Sequence, residues 1–178
     1  MDLIEKLYLL IEEQNLWLKE IALERNQYLK VSGSVDTNLY FVVSGSFRVF
    51  VMDGFEENTI RFGYQNNFLL ALDSFITQQP SDLFIQALKK SSVKMVSRKD
   101  YLNLIRSSTQ NQELWEQLLL QLVLQQMERE RDILTTSPLE RYQRVLQRSP
   151  QLFQEIPNKF IASYLRMTPE TLSRMKKS

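Results

Sequence analysis

Cysteine and histidine are both absent from this chain of 178 residues, and glycine and proline are scarce, at four and five. Without Cys or His there can be no disulfides, Cys/His zinc sites, thiolate-held iron–sulfur clusters or His-ligated haem. The same absence removes the commonest general base and most nucleophilic triads. No dense Asp/Glu cluster takes their place, so no catalytic residue, metal ligand or other cofactor site is expected, and the chain reads as a non-enzyme. Long apolar runs are also missing. The densest stretch, Leu114 to Leu124, is interrupted by Glu116, Gln117 and Gln121 and falls short of the roughly 18 residues that a membrane span needs. The opening Met1-Asp2-Leu3-Ile4-Glu5 has neither the basic lead nor the cleavage site of a secretory signal, which predicts a cytoplasmic protein with no membrane partner.

What the chain does have is enough apolar material, 43%, for a buried core, and enough length for an ordinary domain plus a small second one. Its net charge of +1 hides an asymmetry. Ser137 to Ser178 hold eight basic and three acidic residues, a net of +5, whereas the other 136 residues hold 14 and 18, a net of −4. A basic C-terminal quarter suits a polyanion; solvated terminal lysines such as Lys176 and Lys177 are the plainer reading.

Four zones follow in order. Residues 2 to about 24 read as helical, with Leu3, Ile4, Leu7, Leu10 and Ile11 at helical spacing and a break near Asn15 before a second short helix. From about 27 to 97 short strands alternate with turns. Leu39 to Val43, Phe47 to Val51, Thr59 to Tyr64, Leu83 to Leu88 and Val93 to Ser97 are the strand candidates, and Ser44-Gly45 and Asp53-Gly54 are the turns. Phe47, Val49 and Val51 alternate with Arg48 and Phe50, which predicts one strongly buried face. All four glycines fall in this zone, and the pattern suggests a closed roll or jelly roll, interrupted by a short helix within Phe68 to Thr77.

From about 98 to 136 the chain is helical again. A helix from about Gln110 to Thr135 would be roughly 40 Å long, too long for one small roll to cover. Its apolar band therefore faces either a second copy of the chain or its own domain. The residues placed at a dimer face are Trp115, Leu118, Leu119, Leu122, Gln126 and Arg129. Ser137-Pro138 then caps a new helix, and four helical pieces follow: Pro138 to Arg148, a short one near Leu152, Pro157 to Leu165, and Thr168 to Lys177.

The last two pieces have the spacing of a helix-turn-helix. Ile161 and Leu165 lie on the first helix, Met167 in the corner, and Leu172 and Met175 on the second. Ala162 is small where two backbones approach; Thr168 caps and Pro169 opens the second helix. Thr168, Glu170, Thr171, Ser173, Arg174, Lys176 and Lys177 are left as candidates for duplex contact. Arg174 suits a guanine edge or a phosphate; Ser173, Lys176 and Lys177 suit phosphates. A plain helical hairpin with a polar face gives the same pattern.

The segment "IPNKFIASYLRMTPETLSRMKK" strongly resembles the C-terminal helix-turn-helix of the Crp/Fnr transcription regulators, and its "IASYL…TPETLSR" core is similar to that of Bacteroidetes-type members. "LYFVVSGSFRVF" likewise resembles a strand pair of that family's cyclic-nucleotide-binding roll. The resemblance covers essentially the whole chain. It implies an α+β architecture: a cyclic-nucleotide-binding-like β-roll (jelly roll) with flanking helices at 1–109, a dimerisation helix at 110–136, and a small winged-helix-like head at 137–178. It further implies a homodimer that binds double-stranded DNA. Two departures stand out. Arg166 occupies a corner position where the family has Gly or another small residue, and the sequence stops just past the second helix, so a full β-wing is not expected.

Nucleotide-binding members hold their ligand with a Gly-Glu turn and an Arg-Ser pair. By resemblance those positions fall at Leu70, Ala71 and Leu72 and at Ser81 and Asp82, where glutamate and arginine are missing and an acid stands near the phosphate site. The pocket reads as degenerate, cyclic AMP is not expected, and the effector is unknown: either a more apolar ligand or none. The alternative to a DNA-binding regulator is a sensory or scaffolding module that keeps the fold without productive DNA binding.

Overall fold

The computed structural model describes residues 2–177. α1 (Leu3–Glu13) opens the chain and turns Leu7 and Ile11 inward. It ends where Asn15 takes a positive φ of 52°, a left-handed conformation that Asn tolerates better than most residues. No second helix follows: residues 19–23, expected to be helical, form β1 (Lys19–Leu23). The cause is tertiary, because β1 closes an antiparallel ladder with β8 (Ser91–Val96), Ile21 opposite Val93.

The roll is completed by β2 (Tyr28–Lys30), β3 (Leu39–Ser44), β4 (Ser46–Asp53), β5 (Glu56–Tyr64), β6 (Phe68–Leu69), α2 (Leu72–Thr77) and β7 (Phe84–Ala87). Two four-stranded sheets, ordered β1-β8-β3-β6 and β2-β7-β4-β5, enclose a core of Tyr40, Val42, Phe47, Val49, Leu69, Ile85 and Val93. This is the expected jelly roll, all of its strand pairs antiparallel. At the β3–β4 corner Gly45 has φ 88° and lies against Ser91, so a Cβ there would sit 2.6 Å from the Ser91 Cα. Only glycine fits.

The expected alternation in β4 does not hold. Arg48 and Phe50 are 4% and 1% exposed, as buried as Phe47 and Val49, because a second layer covers the outer face. That layer is the C-terminal head.

α3 (Arg98–Arg106) and α4 (Thr109–Leu134) are separate helices. Ser108 caps α4 by accepting from the Asn111 N–H at 3.1 Å, which sets its start one residue from the Gln110 expected. α4 has 26 residues and is therefore about 39 Å long. α1 and α3 pack with Leu39, Phe75 and Val96 in a second cluster around Tyr101. The head consists of α5 (Pro138–Arg148), α6 (Leu152–Glu155), α7 (Asn158–Tyr164) and α8 (Pro169–Met175). Its core, Val145, Leu152, Ile156, Ile161, Ala162, Leu165 and Leu172, runs without a break into Phe62 and Leu88 of the roll. Among the described residues, no helix is long and apolar enough to cross a membrane.

Candidate nucleic-acid interface and sensor cavity

The helix-turn-helix begins with α7, which is anchored by Ile161 and Ala162, both without exposed surface. The chain leaves it through Arg166 at φ 53°, while the Met167 N–H closes back onto the Ala162 carbonyl at 3.0 Å. That is the left-handed helix ending that glycine usually supplies. Here a non-glycine residue is held in place by its side chain, which donates to Asn58 Oδ1 on β5 at 2.5 Å.

The Thr168 hydroxyl accepts from the Thr171 N–H at 3.2 Å and caps α8, with Pro169 in the first turn. Leu172 points into the core. Glu170, Ser173 and Arg174, at i, i+3 and i+4, then form one exposed stripe, and Lys177, in the turn just past the helix, is exposed as well. The helix start and the Thr168 hydroxyl hold the Glu170 carboxyl below the usual carboxylate range. Two of the seven expected residues are used differently. Lys176 donates back to Asn158 Oδ1 of α7 at 2.5 Å, and Thr168 is occupied as the cap. Thr171 is half-buried beside the stripe and accepts from Arg174 Nη2 at 3.3 Å.

Docking of the head was not legible in the sequence. α7 lies on β5, where Ser163 Oγ donates to the Glu57 carbonyl at 3.1 Å and accepts from the Thr59 N–H at 3.3 Å. Arg48 is held by Gln86 Oε1 at 2.9 and 2.7 Å and by Glu57 at 2.6 Å. The Phe62 and Tyr164 rings meet at 5.4 Å between centroids. The available signal was chemical: an arginine and a phenylalanine alternating with core residues in one strand need a covering layer. α4 joins α5 through Asp132, fully buried, which takes both Arg144 (3.1 Å) and Arg148. This acid holds the Arg148 guanidinium above its ordinary range.

The two faces of α4 differ. Trp115, Leu118, Leu119 and Leu122 are half-buried towards the roll, and Arg129 is 8% exposed with its guanidinium carbon 3.6 Å from the Tyr164 ring centroid. With Gln126, which is itself exposed, they line a cavity of about 420 Å³. The opposite face carries Leu120, Val123, Leu124 and Met127, which are 58%, 55%, 62% and 48% exposed.

Of the expected pocket residues, Leu70 and Leu72 line this cavity and Ala71 is fully buried beside them. Ser81 and Asp82 do not reach it. The Ser81 carbonyl instead accepts from the buried Lys30 Nζ at 2.9 Å, and Asp82 is exposed. Lys30 also donates to the carbonyls of Val31 and Leu83 at 2.9 and 2.7 Å, so its three donors are consumed. Burial pushes its pKa down. Among the described residues, no group of three or more acids is placed to hold a metal ion.

The family model for the cyclic nucleotide-binding domain matches residues 20–108. No curated protein sequence matches the chain. Solved structures similar to it include FixK2 from Bradyrhizobium japonicum, 18% identical with a TM-score of 0.70 over 89% of this chain and 82% of that one. Another is a CooA mutant from Carboxydothermus hydrogenoformans, 15% identical with a TM-score of 0.71 over 89% and 74%. A third is CLP, the c-di-GMP responsive global regulator from Xanthomonas campestris, 13% identical with a TM-score of 0.69 over 96% and 90%. At these identities the likeness is one of fold.

Proposed function

The chain belongs to the cyclic nucleotide-binding domain family, and from that premise we propose that it is a homodimeric DNA-binding transcription regulator of the Crp/Fnr type. Residues 1–109 form its sensor, 110–136 its dimer helix and 137–178 its reading head. The observation that carries this reading is the outward stripe Glu170, Ser173 and Arg174, continued by exposed Lys177 just past its end, on a capped helix whose other side is locked into the head core. A helix so presented suits a major groove, with Arg174 for a base edge and Ser173 and Lys177 for phosphates. The structural likeness to named regulators over most of the chain supports it. Self-association is supported by the exposed apolar face of α4, with Leu120, Val123, Leu124 and Met127 on the side away from Trp115, Leu118 and Leu122.

The sensor does not take cyclic AMP in this reading. Ala71 stands where a ribose-binding acid is needed, and Ser81 and Asp82 offer a cyclic phosphate no cation. The protein works in the cytoplasm. The alternative, a sensory or scaffolding module without productive DNA binding, draws on the bonds that hold α7 to β5 through Ser163 and Arg166.

The deciding experiment selects duplexes from a random-sequence pool with the full chain, then measures binding to the selected and a scrambled duplex across salt concentrations. The expected result is tighter binding to the selected duplex, falling with salt at a slope of about −0.9 per phosphate contacted. Failure to bind either duplex at low salt would remove the regulator reading and leave the alternative.

A further inference from the structure

The cavity between α4 and the roll holds charge that the DNA-facing helix does not use. Three arginines line it, and among the described residues no Asp or Glu does. Arg148 is neutralised by Asp132 and lies 3.7 Å from Glu128. Among the described residues, Arg61 and Arg129 take part in no ion pair. Arg129 is 8% exposed, and its Nη1 is buried without a hydrogen-bond partner; Tyr101, fully buried, has an equally unpartnered hydroxyl. Burial also pushes the pKa values of both Arg61 and Arg129 down. Buried donors of this kind are costly unless an acceptor meets them.

The rest of the wall combines apolar Ile4, Leu7, Leu72, Phe75, Trp115 and Leu118 with the uncharged polar side chains of Asn67, Gln121, Gln125, Gln126 and Ser149. A volume of about 420 Å³ falls within the ~300–1,000 Å³ of small-molecule sites. An occupant needs an anionic end for the arginines and an apolar body for the side of the wall formed by Leu72, Phe75, Trp115 and Leu118. We infer that this cavity binds an amphipathic organic carboxylate, its head on Arg61 and Arg129 and its body against the Trp115–Leu118 wall. A carboxylate accepts from guanidinium groups in their own planar geometry.

The walls come from the roll, from α4 and, through Ser149, Leu152 and Tyr164, from the head. An occupant therefore touches every part that must move together in a sensor. The inference rests on the proposed regulator only for that consequence; occupancy itself is measured without DNA.

The test is thermal melting of the full chain titrated with octanoate, 1-octanol, acetate or cyclic AMP. Octanoate at about 100 times its Kd should raise the melting temperature by roughly 5–10 °C. The alcohol, which lacks the charge, acetate, which lacks the body, and cyclic AMP should leave it unchanged. Arg61→Gln and Arg129→Gln should each weaken the octanoate Kd about tenfold or more. Arg61 is only half-buried, so its variant carries the test should Arg129→Gln fail to fold. A flat octanoate response overturns the inference. So does a response to 1-octanol or cyclic AMP as large as that to octanoate, or an undiminished response in Arg61→Gln. Octanoate binding without duplex binding keeps the site and removes the regulator; the reverse does the opposite.

Discussion

The guanidinium carbon of Arg48 lies 4.5 Å from the ring centroid of Phe160 and 4.0 Å from that of Phe50. One cation from the middle of the roll is thus sandwiched between its own sheet and the first helix of the helix-turn-helix. Phe160→Ala removes one aromatic face and should lower stability by about 0.5–2 kcal/mol. Arg48→Ala, which also strips Gln86 of its donors, should cost about 2–3 kcal/mol. Both variants should speed proteolysis between α4 and α5, as limited digestion would show; an unchanged cleavage rate would mean the head is held by other contacts.

The exposed stripe of α4 makes a prediction about mass. Sedimentation should give twice the chain mass of 21.1 kDa, and Leu120→Glu with Leu124→Glu should return the protein to one chain while its melting temperature as a monomer stays measurable. Leu118→Glu, facing the roll, should instead lower stability, because a charge would enter the apolar wall. Dissociation by Leu118→Glu alone, with the fold intact, would place the partner on the opposite face.

Along α8, base reading and backbone binding should separate. Arg174→Ala should cost about 1–3 kcal/mol on the selected duplex and little on the scrambled one. Lys177→Ala should weaken both and reduce the salt slope by about 1. Equal losses on both duplexes for Arg174→Ala would make it a phosphate contact.

Gly45→Ala combines a left-handed backbone with a Cβ forced against Ser91. It should lower stability by about 2–4 kcal/mol in denaturant melts. Adding Ser91→Gly should return only the share due to the Ser91 side chain, because the 2.6 Å approach to the Cα of residue 91 and the left-handed backbone both remain.

Asp132, fully buried, pairs with two arginines of α5, which Glu128 also reaches at 3.0 and 3.7 Å. Asp132→Asn keeps the shape but leaves Arg144 and Arg148 only Glu128 as an acidic partner, and should cost about 1.5–3 kcal/mol. Replacing both arginines as well should recover part of that loss, measurable as a coupling energy in the combined variant.

Much of the fold was legible because local chemistry demands it. The β-branched and aromatic runs of β3 and β4, the Gly45 and Gly54 turns, the Ser137-Pro138 and Thr168-Pro169 helix starts, and the apolar spacing of α4 and α8 depend on residues close in sequence. β1 was not legible, because Lys19–Leu23 becomes a strand only when β8 arrives from over sixty residues away. The long helix placed at about Gln110 to Thr135 is α4, Thr109–Leu134, because its start is set locally by the Ser108 cap.

By itself the sequence determined the order of roll, long helix and head, the left-out chemistry of Cys and His, and the polar stripe of α8, since each depends on composition or short spacing. Which face of α4 meets the roll, that Arg61 and Arg129 line one cavity, and how Arg48 becomes a buried link to the head were decided only in three dimensions. The reason is that a helical band shows its period without showing its neighbour. Whether a cation is paired, stacked or left without an acceptor depends on segments brought together from across the whole chain.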